Sequence, residues 1–192
     1  MAKKYEFKPD KAGRSLLERL YLTPLQRRNV LKWVLYGLLL TVLSVLQDVI
    51  FCDLEILGAS TDLVPCGIFL ICILEGAQSG CVFALVASLL YLFTGTAPGP
   101  YAMVFITLIA ILVTAFRQGY MRKGFPSAMI CVGSAMVIYE LALFAIGLFL
   151  KLTYFSRVFG FLTTVCLTAV FAPAIFFVGR AICSLGGETW KE

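Results

Sequence analysis

Apolar positions fall in long blocks along this chain, and the polar positions between them mark where helices turn. Residues 76–116 run for 41 positions without a charged side chain, about twice the roughly 20 apolar residues that carry one helix across a bilayer. One break, Thr94-Gly95-Thr96-Ala97-Pro98-Gly99-Pro100, divides the run. Gly and Pro at that density end helices, so the block reads as two membrane helices back to back. The same pattern predicts a first span over 31–51, a third over 77–93, a fourth over 101–116, a fifth over 125–150 and a sixth over 158–179. Thr23-Pro24 reads as an N-cap followed by proline at the first helical position.

The second span is the shortest. Residues 63–74 give only 12 uncharged positions, about 18 Å of helix at 1.5 Å per residue. A hydrocarbon core is about 30 Å thick. Charge parity decides whether this segment crosses. With six spans and the N-terminus inside, 14 Lys and Arg residues lie inside and two, Lys151 and Arg157, lie outside. Without the second span the later loops invert, and the division becomes 11 against five. The positive-inside rule favours six spans with both termini cytoplasmic. Asp62 then stands near the outer surface, with Thr61 or Ser60 capping the helix and Pro65 in its first turn.

Composition agrees with a membrane domain. Hydrophobic residues make up 60% of the 192 and charged residues 14%, against about 45–50% and 25% in soluble domains. Nine of the 16 basic residues lie within the first 32 positions, an orientation signal rather than a nucleic-acid surface. The chain divides into a basic cytoplasmic leader (1–29), a six-helix transmembrane domain (30–180) and a short cytoplasmic tail (181–192). In the leader, Leu16, Leu17, Leu20 and Tyr21 share one helical face. That fits either a helix lying on the membrane surface or a frayed tail.

Candidate chemistry is sparse. There is no histidine, no C-x-x-C among seven cysteines, and no P-loop, H-E-x-x-H or G-x-S-x-G. The expectation is a non-enzyme without metal or cofactor. Gly76, Gly80, Ala84 and Ser88 recur every four residues along the third span. Such a small-residue stripe lets helix backbones approach closely, toward a partner or within the bundle. Glu140 lies about 15 positions into the fifth span. A carboxyl at that depth is costly and faces protein or water. It serves as a polar clasp, a substrate ligand or a proton site, with Gln47, Thr107, Thr164 and Thr168 as candidate hydrogen-bond partners and no intramembrane cation to pair with it. Glu75 reads as a solvated carboxylate between the second and third spans, Asp48 as reaching the outer interface, and Trp33 and Tyr36 as interfacial aromatics. Pro173 is expected to kink the sixth span.

Residues 46–116 resemble the bacterial rod shape-determining protein MreD family. The elements are Leu46-Gln47, then Leu57-Gly58-Ala59-Ser60-Thr61-Asp62-Leu63, then Glu75-Gly76-Ala77-Gln78-Ser79-Gly80-Cys81-Val82-Phe83-Ala84. Thr94 to Pro100 corresponds to the outer loop, and Tyr139-Glu140-Leu141 also suits the family. Thr61 stands where the family often has proline, Ser88 where glycine is common and Tyr91 where an aspartate often closes the helix. The resemblance implies a non-enzymatic membrane scaffold of the peptidoglycan elongation machinery in the bacterial cell membrane. It implies binding to MreC, work alongside MreB, RodA and a class B penicillin-binding protein, and motif positions at Gln47, Gly58, Asp62 and Glu75. No nucleic acid and no small-molecule substrate are expected. The competing resemblance is to the substrate-binding S component of an energy-coupling-factor vitamin transporter. That family tends to carry small residues in its first helix, where Gly37 and Thr41 offer only a weak version.

Overall fold

A computed structural model describes residues 24–50, 61–95, 97–120 and 124–185. Among these residues every regular element is helical. Helix α1 (Pro24–Val45) continues into a π-helical turn (Leu46–Ile50). Then come α2 (Leu63–Glu75), α3 (Ala77–Phe93), α4 (Pro100–Tyr120), α5 (Phe125–Phe149), a 3₁₀ turn (Phe155–Arg157) and α6 (Val158–Leu185). Pro24, Pro100 and Pro126 stand in the first turns of α1, α4 and α5, where the missing N–H breaks no helix bond.

Two boundaries lie further out than hydropathy indicates. Helix α1 begins inside the stretch read as leader, and α6 continues to Leu185, past the expected end of both span and domain. Hydropathy marks the hydrocarbon region, and a helix need not stop where that region ends. Residues 1–23, Gly58 and the rest of 51–60 lie outside the described residues, as do the expected surface helix and Ser60.

Four helical stretches are long and apolar enough to cross a membrane: Gln26–Val49, Pro100–Tyr120, Phe125–Phe149 and Phe155–Leu185. The chain is an all-helical, multi-pass membrane protein. Helices α2 and α3 are shorter, with 13 and 17 residues, or about 20 and 26 Å.

The place of α2 accounts for its length. Leu63 through Leu74 are all buried, and the helix packs against α1, α3, α4, α5 and α6. A helix that faces lipid must match the hydrocarbon thickness or deform the bilayer. A helix sheathed in protein need only fill the space its neighbours leave. Lipid-facing residues on the outer helices are apolar, as with Val34, Leu38 and Val42 on α1 and Ile130, Ile138 and Leu141 on α5.

Tie points along the bundle show the helix directions. Lys32, early in α1, meets Glu75 at the end of α2. Arg117, late in α4, reaches Ile73 near that same end, and Gly179, late in α6, lies against Leu74. Ser88, late in α3, meets Thr107, early in α4. Phe125 opens α5 against Phe176 and Phe177 of α6. Successive helices therefore run in alternating directions.

The turn from α2 to α3 is one residue long. Gly76 takes φ +89°, a left-handed region that favours glycine, and its N–H closes α2 on the Cys72 carbonyl at 3.0 Å. Gly80 then lets the two backbones touch. A Cβ there would come within 2.8 Å of the Cys72 carbonyl oxygen, and the Cys72 thiol donates to the Gly80 carbonyl at 3.1 Å. Ala84 and Ser88 are buried in line with Gly80. Three members of the small-residue stripe thus face the bundle interior, and Gly76 makes the hinge before them. None of the three offers an outward face to a partner: Gly80 is used against α2 and Ser88 against α4.

Candidate functional site

The polar side chains of the interior gather in two layers, one at each end of α2. The inner layer is an ion pair. Lys32 Nζ lies 2.6 Å from Glu75 Oε2, and both side chains are 5% exposed. The Tyr36 hydroxyl donates to Glu75 Oε1 at 2.8 Å, so both carboxylate oxygens are bonded. Lys32 also lies 5.4 Å from the Trp33 ring centre. Arg117 Nη1 donates to the Ile73 carbonyl. Two cations thus stand where α2 ends, where the helix dipole is negative and the last carbonyls lack helix partners.

This layer corrects two expectations. Glu75 is not a solvated loop carboxylate, because α1 lies across it and supplies both its partners. Tyr36 is fully buried and is no interface anchor, because its hydroxyl completes the coordination of Glu75. The signal was present in sequence as a lone lysine just inside one apolar block and a lone glutamate closing the next.

The outer layer surrounds the start of α2. Asp62 occupies the N-cap position and makes no side-chain capping bond. Neighbouring helices provide the capping. Gln47 Oε1 of the π-helical turn accepts from the Val64 N–H at 3.1 Å. Thr168 Oγ1 of α6 accepts from the Asp62 N–H at 3.1 Å and donates to the Thr164 carbonyl at 2.8 Å. The expected Thr61 cap is absent, since Thr61 Oγ1 has no partner among the described residues. Gln47 and Thr168, named as candidate partners of Glu140, bind α2 backbone instead. Thr107 bonds to Ser88 and to the Met103 carbonyl, and Thr164 to the Gly160 carbonyl.

Glu140 is 4% exposed, and it lies near enough to Asp62 for the two carboxyls to act on each other. Tyr91 of α3 and Tyr139 of α5 lie in the same neighbourhood, close enough to interact with both carboxyls, and Gln47 acts on Tyr91 as well. Glu140 Oε1 and the Tyr139 hydroxyl have no partner among the described residues. Asp48 is exposed, one residue beyond Gln47. The structure thus brings Gln47, Asp62 and Glu140 together at one end of α2 and leaves Glu75 at the other. Sequence reasoning missed Tyr91 and Tyr139 as members of this layer.

An apolar cleft of about 270 Å³ runs between α5 and α6, lined by Met129, Gly133, Met136, Val165, Ala169 and Pro173 among others. Cys66 of α2 also lines it. Pro173 sits inside α6 and so borders an open space. Among the described residues no three His, Cys, Asp or Glu side chains gather as a metal site. Comparison with protein-family models, with curated proteins and with solved structures finds no match to this chain.

Proposed function

We propose that this chain is a non-enzymatic membrane scaffold of the bacterial cell-elongation machinery, as its resemblance to the MreD family implies. In this reading six helices cross the cell membrane, both termini are cytoplasmic, and an MreC-like membrane protein is the partner. The observation that carries the reading is how the interior polar groups are used. Lys32, Tyr36 and Glu75 join α1 to α2, Gln47 joins the end of α1 to the start of α2, and Thr168 joins α6 to α2. These contacts fix helices relative to one another, as a body that presents surfaces to partners requires. The inward small-residue stripe leaves partner contact to the apolar outer faces. The alternating helix directions support α2 and α3 as crossings, with α2 excused from full length by its protein sheath.

Co-expression with an MreC-like protein and purification in mild detergent tests the reading. A stoichiometric complex is the expected result. The competing S-component reading gains if the purified protein instead retains a stoichiometric vitamin that Glu140→Ala releases, or co-purifies with an ATPase-type coupling subunit.

A further inference from the structure

We propose that the cleft between α5 and α6 binds one anionic phospholipid, with an acyl chain in the cleft and the headgroup held by Arg180 near the end of α6. The two helices run antiparallel and touch through aromatic rings at two levels. Phe125 packs on Phe176 with ring centres 5.2 Å apart, and Phe144 packs on Phe161 at 5.2 Å. Between those levels they leave a space of about 270 Å³. A packed interior has few voids larger than a water molecule, and an apolar cavity of about 150 Å³ is already enough to hold benzene.

Small residues make the space. Gly133 lines it from α5, and Ala169, Ala172 and Pro173 line it from α6. Nothing lies within 4 Å of a Cβ built on Gly133. The floor is buried, with Val132, Met136 and Val165 on the two helices and Cys66 on α2. At the mouth Ala169 is exposed, and Met129 and Gly133 are half-buried. The cleft thus opens sideways, to the medium around the bundle. Both helices are long and apolar enough to cross a membrane, and Val165 to Pro173 occupy the middle of the 28-residue α6. At that level the medium is hydrocarbon. Water gains little there, because the Cys66 thiol is the lining's one polar side chain.

Shape selects a chain rather than a helix. A third helix needs about 10–12 Å of width, and the ring contacts at both ends hold α5 and α6 too close to admit one. A single hydrocarbon chain fits, and Met129 and Met136 are flexible enough to follow it. Charge selects the headgroup. Ala169, Pro173, Phe176 and Arg180 recur at i, i+4, i+7 and i+11 along α6, which is one face of a helix. Arg180 is half-buried and stands about 10 Å beyond Pro173 along the axis. Its planar fork matches phosphate oxygens, and basic groups between helix ends at a membrane surface hold anionic headgroups. The site stands whether or not the chain is a scaffold.

Photolabelling of the purified full chain in phosphatidylcholine nanodiscs tests this. One sample carries a small fraction of phosphatidylglycerol with a diazirine midway along one acyl chain, and the other carries phosphatidylcholine with the same chain. Peptide mass spectrometry should find more label on Met129, Met136 and Ala169 than on Val34 and Leu38 of the lipid-facing side of α1. Phosphatidylglycerol should label the cleft more than phosphatidylcholine does. Gly133→Leu fills the cleft, so it should remove that label and leave the label on α1. Arg180→Gln should keep the cleft label and remove the preference for phosphatidylglycerol. Equal labelling of the cleft and α1 overturns the proposal, and so does a cleft label unchanged in Gly133→Leu. Equal labelling by the two lipids in the wild type, or a preference that survives Arg180→Gln, overturns the headgroup assignment. A second copy of the chain as occupant would appear as dimers in native mass spectrometry that Gly133→Leu abolishes, and this also overturns it. If Gly133→Leu does not fold, Ala169→Leu fills the same space from the other wall and must give the same loss.

Discussion

Lys32 and Glu75 meet at 2.6 Å with 5% of each side chain exposed, an ion pair inside an apolar bundle between the start of α1 and the end of α2. Desolvating both charges is costly, and removing one partner leaves the other uncompensated. Lys32→Met or Glu75→Gln alone should therefore destabilise the protein by about 3–5 kcal/mol. The double variant Lys32→Met, Glu75→Gln should recover most of that loss. Thermal or chemical denaturation in detergent, arranged as a double-mutant cycle, reads the coupling. Additive losses would show that the pair does not act as a unit.

At the other end of α2, two side chains replace the missing local cap. Gln47→Leu leaves the Val64 N–H without its acceptor, and Thr168→Val does the same to the Asp62 N–H. Each should cost about 1–3 kcal/mol, the penalty for a buried donor left unsatisfied. Amide hydrogen exchange gives the specific readout. Val64 should lose protection in Gln47→Leu, Asp62 in Thr168→Val, and the far end of α2 should be little affected in both.

These two relationships explain what could be read from sequence and what could not. The apolar blocks mark six helices because lipid-facing surface must be apolar, and Val34, Leu38 and Val42 obey that rule openly. The carboxyls Asp62, Glu75 and Glu140 were each visible as costly. Their partners were not, because burial of polar groups in a membrane is decided by which helices lie side by side. Lys32 near the start of α1 and Gln47 in the π-helical turn that follows it lie 15 residues apart, and they bracket α2 at both ends. Local sequence also assigned the cap of α2 to Thr61 or Ser60, the nearest hydroxyls, whereas distant helices supply it. The stripe at Gly80, Ala84 and Ser88 was legible as a close-packing face, and only the packed bundle shows that Gly80 meets α2 while Ser88 meets α4.

Gly80 is the position where α3 is most sensitive to size. A side chain there must push against the Cys72 backbone, 2.8 Å from where its Cβ would sit. Gly80→Ala should cost about 1–3 kcal/mol through overpacking, and Gly80→Leu should prevent α3 from docking. Gly133→Ala is the control, since nothing lies within 4 Å of a Cβ built there. It should be neutral or mildly stabilising, because alanine is the better helix former. Melting temperatures of the three variants in one detergent decide the matter, and equal losses at Gly80 and Gly133 would show that the seam is not special.

Orientation has its own test, which rests on α2. If this helix crosses, Arg117, Arg122 and Lys123 share the cytoplasmic side with the basic leader, and Lys151 and Arg157 face outward. If it does not cross, those positions exchange sides, because each later helix keeps its length and direction relative to the last. Reporter fusions at two points separate the cases. A fusion after Lys123 should be active only with a reporter that works in the cytoplasm, and a fusion after Leu152 only with one that works outside. The opposite pattern would mean that α2 enters and leaves by the same face. The alternating directions of α1, α2 and α3 then could not span the bilayer as three crossings, and the charge parity that supports cytoplasmic termini would fail with them.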